Sequence, residues 1–178
     1  MRVSDSLKGE PDSSGHDRLA RWLAETWLNV IGTLGPNAFT KEEMKNASYK
    51  REEWLHPEYK KQCCLDGLAR WRMTRMIDNA NGYSEQHAMI FEIKPQIDSD
   101  SEVLRQIKLY RDTFRGLNRE TKIHCCLYTL DNKYDRFFTA EGIYVYHPDP
   151  DNDALIAASE LSLPLPGSIL PKTHDRLW

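Results

Sequence analysis

Residues 87–130 switch twice between two hydrophobic periodicities, and this switching limits the fold more than any other feature of the chain. His87-Ala-Met-Ile-Phe-Glu-Ile-Lys94 reads as a strand, with residues 88–94 its core. Ser99-Asp-Ser-Glu102 then forms a capping box directly before a helical pattern, whose apolar stripe is Val103, Ile107, Tyr110 and Phe114 and whose stop is Gly116. Ile123–Leu130 is a near-continuous apolar run, as expected of a central strand buried on both faces. Tyr134, Phe137 and Phe138 suggest a short helix ended by Gly142, and Ile143–Tyr146 another strand. Strands alternating with helices predict an α/β fold, a mixed central β-sheet with crossover connections and flanking helices.

Upstream the pattern differs. Leu19, Trp22, Leu23, Trp27, Val30 and Ile31 recur at helical spacing, and Gly32, Gly35 and Pro36 close that helix. Thr40-Lys-Glu-Glu43 looks like a capping box opening a short second helix. A first strand is expected around Tyr49–Leu55. Residues 63–73 read as another, with Leu65, Ala69, Trp71 and Met73 on one side and Asp66, Leu68, Arg70 and Arg72 on the other. Asp78-Asn-Ala-Asn-Gly82 carries turn chemistry, so 63–94 is expected to be an antiparallel hairpin with a long loop. Residues 1–14 read as a flexible tail, 15–178 as one domain, and the Pro-rich end as an extended wrapping segment.

Composition narrows the function. The 178 residues suffice for one domain with a real core, and the net charge of −3 excludes a chain that is basic throughout. Charge is uneven, however: residues 41–75 hold nine Lys/Arg against six Asp/Glu, so a local basic surface is expected there. No apolar run approaches the roughly 20 residues that cross a bilayer, and the N-terminus lacks a signal-peptide core, which predicts a cytoplasmic protein with no membrane partner. The four cysteines form two adjacent pairs, Cys63-Cys64 and Cys125-Cys126, with no CxxC. They are expected to be reduced and mostly buried.

The chemistry concentrates in Asp66, Glu92 and Lys94. Glu92 lies between Phe91 and Ile93, and Asp66 follows Cys-Cys-Leu65, so both carboxylates are embedded in apolar strands. Buried charges must be paired or bound to metal, and two close carboxylates repel unless a proton or cation sits between them. Mg²⁺ favours such carboxylates together with waters and phosphate oxygens. Residues 92 and 94 share a strand face, so Lys94 is placed to orient an attacking water or neutralise a developing charge. From spacing alone, a structural Asp–Lys or Glu–Lys ion pair explains these residues at least as well. Gln106 and Tyr110, four residues apart, share a helix face; Tyr110 lies on the apolar stripe and Gln106 at its edge.

Asp66…Glu92-Ile-Lys94 resembles the signature of the PD-(D/E)XK nuclease superfamily, and Gln106-Ile-Lys-Leu-Tyr110 resembles the QxxxY motif of its RecB-like and viral-exonuclease branch. The resemblance covers roughly residues 60–147 and implies a restriction-endonuclease-like core and hydrolysis of DNA phosphodiester bonds. By position it places Mg²⁺ or Mn²⁺ on Asp66, Glu92 and the backbone carbonyl of Ile93, water assistance on Lys94, and support of the site or DNA contact on Gln106 and Tyr110. The Asp is preceded by Leu65 rather than Pro, and the cysteine pattern of the iron–sulfur members is absent, so no iron–sulfur cluster is expected. The family's first-motif His has one candidate, His16, which a solvent-facing place near a helix start would also explain.

Other members take an acidic residue from the first helix or the strand before the Asp, for which Glu25 and Glu53 are candidates here; solvated positions account for them too. Arg70, Arg72 and Arg75 are candidates for contact with a nucleic-acid backbone, and a solvated hairpin accounts for them equally. Chains of this type often rely on a protein partner or a dimer to grip DNA. Two rivals remain: a catalytically inactive nuclease-like module that binds nucleic acid or protein, and a thiol hydrolase pairing a cysteine with His124 or His147. All of this turns on one geometric condition: Asp66 must share the sheet face of Glu92 and Lys94.

Overall fold

A computed structural model describes residues 15–34, 46–55, 64–76 and 81–149, without the side chains of Trp54, Arg75 and Met76. The N-terminal tail, the helix expected after Thr40, Cys63, most of the turn at 78–82 and the wrapping segment from 150 onward lie outside the described residues.

The chain runs α1 (Gly15–Leu34), β1 (Ser48–Trp54), β2 (Cys64–Met76), β3 (Gly82–Lys94), α2 (Asp100–Leu117), β4 (Thr121–Thr129), α3 (Asp135–Ala140) and β5 (Tyr144–Tyr146). The strands form one five-stranded sheet in sequence order. β1, β2 and β3 pair antiparallel, whereas β3–β4 and β4–β5 are parallel. Parallel neighbours need a crossover, and α2 and α3 supply the two crossovers. The expected mixed α/β sheet and antiparallel hairpin are present, but the hairpin strands extend to Met76 and Gly82, so five residues rather than a long loop separate them.

Strand alternation divides the core into two layers. Trp71, Met73, Met89, Phe91, Ile93, Cys126 and Tyr128 pack beneath α1, against Leu19, Trp22, Leu23, Val30 and Ile31. Leu68, Ala88, Ile90, Cys125, Leu127 and Val145 pack on the opposite face, against Val103, Ile107, Tyr110 and Phe114 of α2. With both faces covered, β3 is buried without interruption from His87 to Ile93.

Several boundaries depart from the expected ones, each for a tertiary reason. α1 runs through Gly32 to Leu34, because Thr33 and Leu34 are themselves buried and Thr33 Oγ1 donates to the Asn29 carbonyl at 2.8 Å. β3 begins at Gly82 rather than Ala88: its polar first half is held by the ladder to β2, from Met76↔Gly82 inward. α2 passes Gly116 and is capped by Asn118, whose backbone N–H and side-chain amide both donate to the Phe114 carbonyl. Its start matches the capping box, with Ser99 accepting from the Glu102 amide. Among the described residues no helix is long and apolar enough to cross a membrane.

Candidate active site

Gly67 pairs with Phe91 at the end of the β2–β3 ladder, and Asp66 and Glu92 are the residues just beyond it. Leu68 and Ile90, two residues inward on each strand, both lie in the core beneath α2. Glu92 and Lys94 therefore lie on that face. Asp66 meets them at the end of the ladder, close enough for its charge to bear on both. Leu65, expected on the side of Ala69, Trp71 and Met73, packs instead in the layer beneath α2, so strict alternation along β2 ends at Asp66. Beyond Gly67 the ladder gives way, and Asp66 Oδ2 instead accepts the backbone N–H of Ile93 at 2.8 Å. The Ile93 side chain points into the opposite core layer.

Glu92 is only 1% exposed. Burial, then the neighbouring Asp66 charge, push its carboxyl up to about 7, against the pull of Lys94 and His16. Lys94 Nζ lies 2.9 Å from Glu92 Oε1. Glu92 Oε2 is buried with no hydrogen-bond partner. An unsatisfied buried carboxylate oxygen costs folding free energy, so it is a place that a proton or a cation would stabilise. Lys94 is pulled down by burial, but Glu92 and then Asp66 more than offset that, and its net shift is upward. It stays an ammonium at neutral pH.

The first turn of α1 also reaches this place. A Cβ on Gly15 would lie 3.3 Å from the Pro95 ring, which brings the helix start beside the end of β3. His16 Nε2 then sits 3.2 Å from Asp66 Oδ1. The hydrogen bond to Asp66 is the main reason that His16 is shifted upward. Sequence left His16 an isolated candidate; the fold makes it a partner of the Asp carboxylate. On α2, Gln106 Nε2 donates to the Tyr110 hydroxyl at 2.8 Å. Burial raises Tyr110 to about 12; the Gln106 bond opposes this, and Glu92, Asp66 and Cys64 add smaller upward pushes. The Gln-x-x-x-Tyr pair thus lies within electrostatic reach of both carboxylates.

The remaining candidates are placed elsewhere. Glu25 is exposed on α1, about two and a half turns beyond His16. Glu53 pairs with Lys50 at 3.3 Å and Arg70 at 3.7 Å. It follows Glu52, whose φ of 54° interrupts the β1–β2 ladder opposite Asp66. Arg70 lies over the Phe114 ring, 5.7 Å from its centroid, and Arg72 is exposed. The Arg75 side chain lies outside the described residues.

Among the described thiols, Cys64 is half-buried and shifted upward, mainly by burial. Burial pushes Cys125 up to about 12 and Cys126 well above the usual thiol range. Neighbouring His124 faces His87, at 3.1 Å, and His147 is held by Asp135 and the Thr129 carbonyl. Among the described residues, no three His, Cys, Asp or Glu side chains converge as a metal site. Glu92 has an oxygen without a partner and Asp66 holds His16 and the Ile93 amide, so a Mg²⁺, which keeps several waters and takes phosphate oxygens, would have to share Asp66 with those contacts. No family model, curated protein or solved structure matches the chain.

Proposed function

We propose that this chain is a metal-dependent deoxyribonuclease of the PD-(D/E)XK type. The observation that supports the reading is the meeting of Asp66, Glu92 and Lys94 at the end of the β2–β3 ladder, with a buried Glu92 oxygen lacking a hydrogen bond. Asp66, Glu92 and the Ile93 carbonyl would hold Mg²⁺ or Mn²⁺, which supplies charge neutralisation and a bound water of lowered pKa.

The chain's own residues have distinct tasks. Lys94, kept charged by Glu92, donates hydrogen bonds to the attacking oxygen or to the negative charge that grows on the phosphorus centre; it is not the base. His16 and the Ile93 amide hold the two Asp66 oxygens and fix that carboxylate. Gln106 fixes the Tyr110 hydroxyl, and Tyr110 closes the wall beside the carboxylates. In hydrolysis, water oxygen bonds to phosphorus as the bond to the leaving sugar oxygen breaks; the water's proton passes to solvent, and the leaving oxygen takes a proton from solvent to become a hydroxyl.

One observation favours a second reading. The Asp66 oxygens both have internal partners and Lys94 closes on Glu92, which also suits a structural anchor in an inactive, nuclease-like binding module. Purified protein incubated with linear, circular and branched DNA plus Mn²⁺ separates the two. The proposal expects cleavage that Asp66→Ala and Glu92→Ala each reduce by about a thousandfold or more. Cleavage undiminished in both variants sinks it, and Mn²⁺ binding without cleavage of any DNA favours the inactive module.

A further inference from the structure

The face that carries Glu92 and Lys94 continues toward the other end of β2. Leu68, Arg70 and Arg72 alternate along β2 beyond Gly67, and Lys50 and Ser48 of β1 lie across from Leu68 and Arg70. Arg72 lies across from Gln86, and Gln86 from Thr121. At this end a cavity of about 460 Å³ opens between the sheet and the C-terminus of α2, lined by Ser48, Arg70, Arg72, Gln86, Asn118 and Thr121. Its lining combines two guanidinium groups with amides and hydroxyls, a donor-rich set suited to phosphate oxygens and base edges. Arg72 makes no ion pair among the described residues and is exposed. Arg70 is pre-positioned by Glu53 and the Phe114 ring.

We propose that this cavity holds one nucleic-acid strand, its phosphates against Arg70 and Arg72, and that the strand runs on past Lys50, which lies outside the lining on β1, toward the carboxylates. The inference rests on the nuclease reading and names its substrate as a single strand. Strand rise sets the reach: Lys50 lies about 7 Å, Arg70 about 13 Å and Arg72 about 20 Å along β2 from the level of Asp66. The cations are thus staged along the sheet edge beside α2. Lys50 is 60% exposed and Arg70 40%, so both heads reach solvent while their stems lie on the sheet. A cavity of this volume takes one or two nucleotide units; a duplex does not enter it. Glu53 competes with the strand for both Lys50 and Arg70, so Arg72 carries the largest share of the salt-dependent affinity.

The test is fluorescence anisotropy with 3′-fluorescein-labelled (dT)₁₂ and (dT)₃ in EDTA, where no cleavage intervenes. For (dT)₁₂, Arg72→Gln is expected to weaken binding roughly three- to tenfold and to flatten the slope of log K against log salt by about 0.7; Lys50→Gln/Arg72→Gln flattens it by about 1.4. (dT)₃ fills the cavity but does not extend along the whole track, so it should bind more weakly and with a shallower slope than (dT)₁₂, and Arg72→Gln should weaken it too. Wild-type affinity and slope in both variants, no binding of (dT)₁₂ by the unmodified protein, or tighter binding of a 12-base-pair duplex each overturns the proposal. Asp66→Ala should bind (dT)₁₂ as the unmodified protein does while losing cleavage, so failure of the groove is distinguishable from failure of the nuclease assignment. Circular dichroism confirms that the exposed substitutions leave the fold intact.

Discussion

At the scale of single residues, Glu92 is a carboxylic acid buried to 1% exposure. Its raised pKa means that the folded state binds the proton more tightly than the unfolded chain does. The sign follows directly: the stabilisation is complete below the ordinary Glu value of about 4.5 and is lost as pH rises through about 7. Metal-free protein should therefore lose stability across pH 4.5–7, and Glu92→Gln should flatten that loss in thermal melts. His16 makes a second prediction. His16→Ala removes the contact to Asp66 Oδ1 but little apolar packing, and is expected to lower nuclease activity about 10- to 100-fold with the melting temperature nearly unchanged. An unchanged rate would show that the Ile93 amide alone fixes Asp66. His16 also marks where sequence falls short. Nothing local to Gly15-His16 signals Asp66, fifty residues away; only the docking of α1 beside Pro95 creates the contact. Glu92-Ile-Lys94 was readable because strand alternation is a local rule.

At the scale of elements, β1 and β2 meet closely at Gly67. A Cβ there would lie 2.6 Å from the Tyr49 hydroxyl and 3.0 Å from its ring. Tyr49 cannot swing away freely, because it stacks on Trp27 at 5.7 Å and meets Phe91 edge-on at 6.2 Å. Gly67→Ala should therefore cost about 1–3 kcal/mol, read as a fall in melting temperature of several degrees. The Tyr49 hydroxyl is buried without a partner, so Tyr49→Phe is expected to be neutral or stabilising and to relieve part of the Gly67→Ala cost in a double-mutant cycle. A larger cost in the double variant than in Gly67→Ala alone would contradict this packing account. Periodicity found the buried parts of the elements and missed their polar ends. Residues 82–86 of β3 are pinned by cross-strand pairing, not by a hydrophobic pattern. β1 consists largely of charged residues, Ser-Tyr-Lys-Arg-Glu-Glu-Trp, and owes its strand state to the ladder with β2. The capped α2 was legible in full at its start because Ser99 and Glu102 are local partners.

At the scale of the molecule, the strand–helix–strand order after residue 87 foretold the α/β class, since parallel neighbours leave little choice but a helical crossover. What holds the crossovers in place was not legible. Ile97 N–H donates to Asp131 at 3.2 Å, joining the β3–α2 and β4–α3 loops. His147, just past β5, bonds to Asp135 of α3 at 2.9 Å and to the Thr129 carbonyl of β4. Burial pulls His147 down, but Asp135 and Thr129 outweigh it and the net shift is upward. The stabilisation from this clasp is therefore complete below the ordinary His value of 6.5 and lost as pH rises through the higher folded value. Thermal melts should show a further decline above pH 6.5 that His147→Gln abolishes; an unaltered decline in that variant would assign it to another group.

The central claim is that Asp66 and Glu92 form a cation site, and the Glu92 carboxyl reports on it directly. Titration of side-chain ¹³C-labelled Glu by NMR, with Glu92→Gln to identify the resonance, should place Glu92 near 7 without metal. Saturating Mg²⁺ should move that midpoint down by at least one unit, because the cation favours the ionised carboxylate, and Asp66→Asn should remove the metal-dependent shift. A Glu92 midpoint that Mg²⁺ and Mn²⁺ leave unmoved would contradict the account and leave the cluster a structural ion pair.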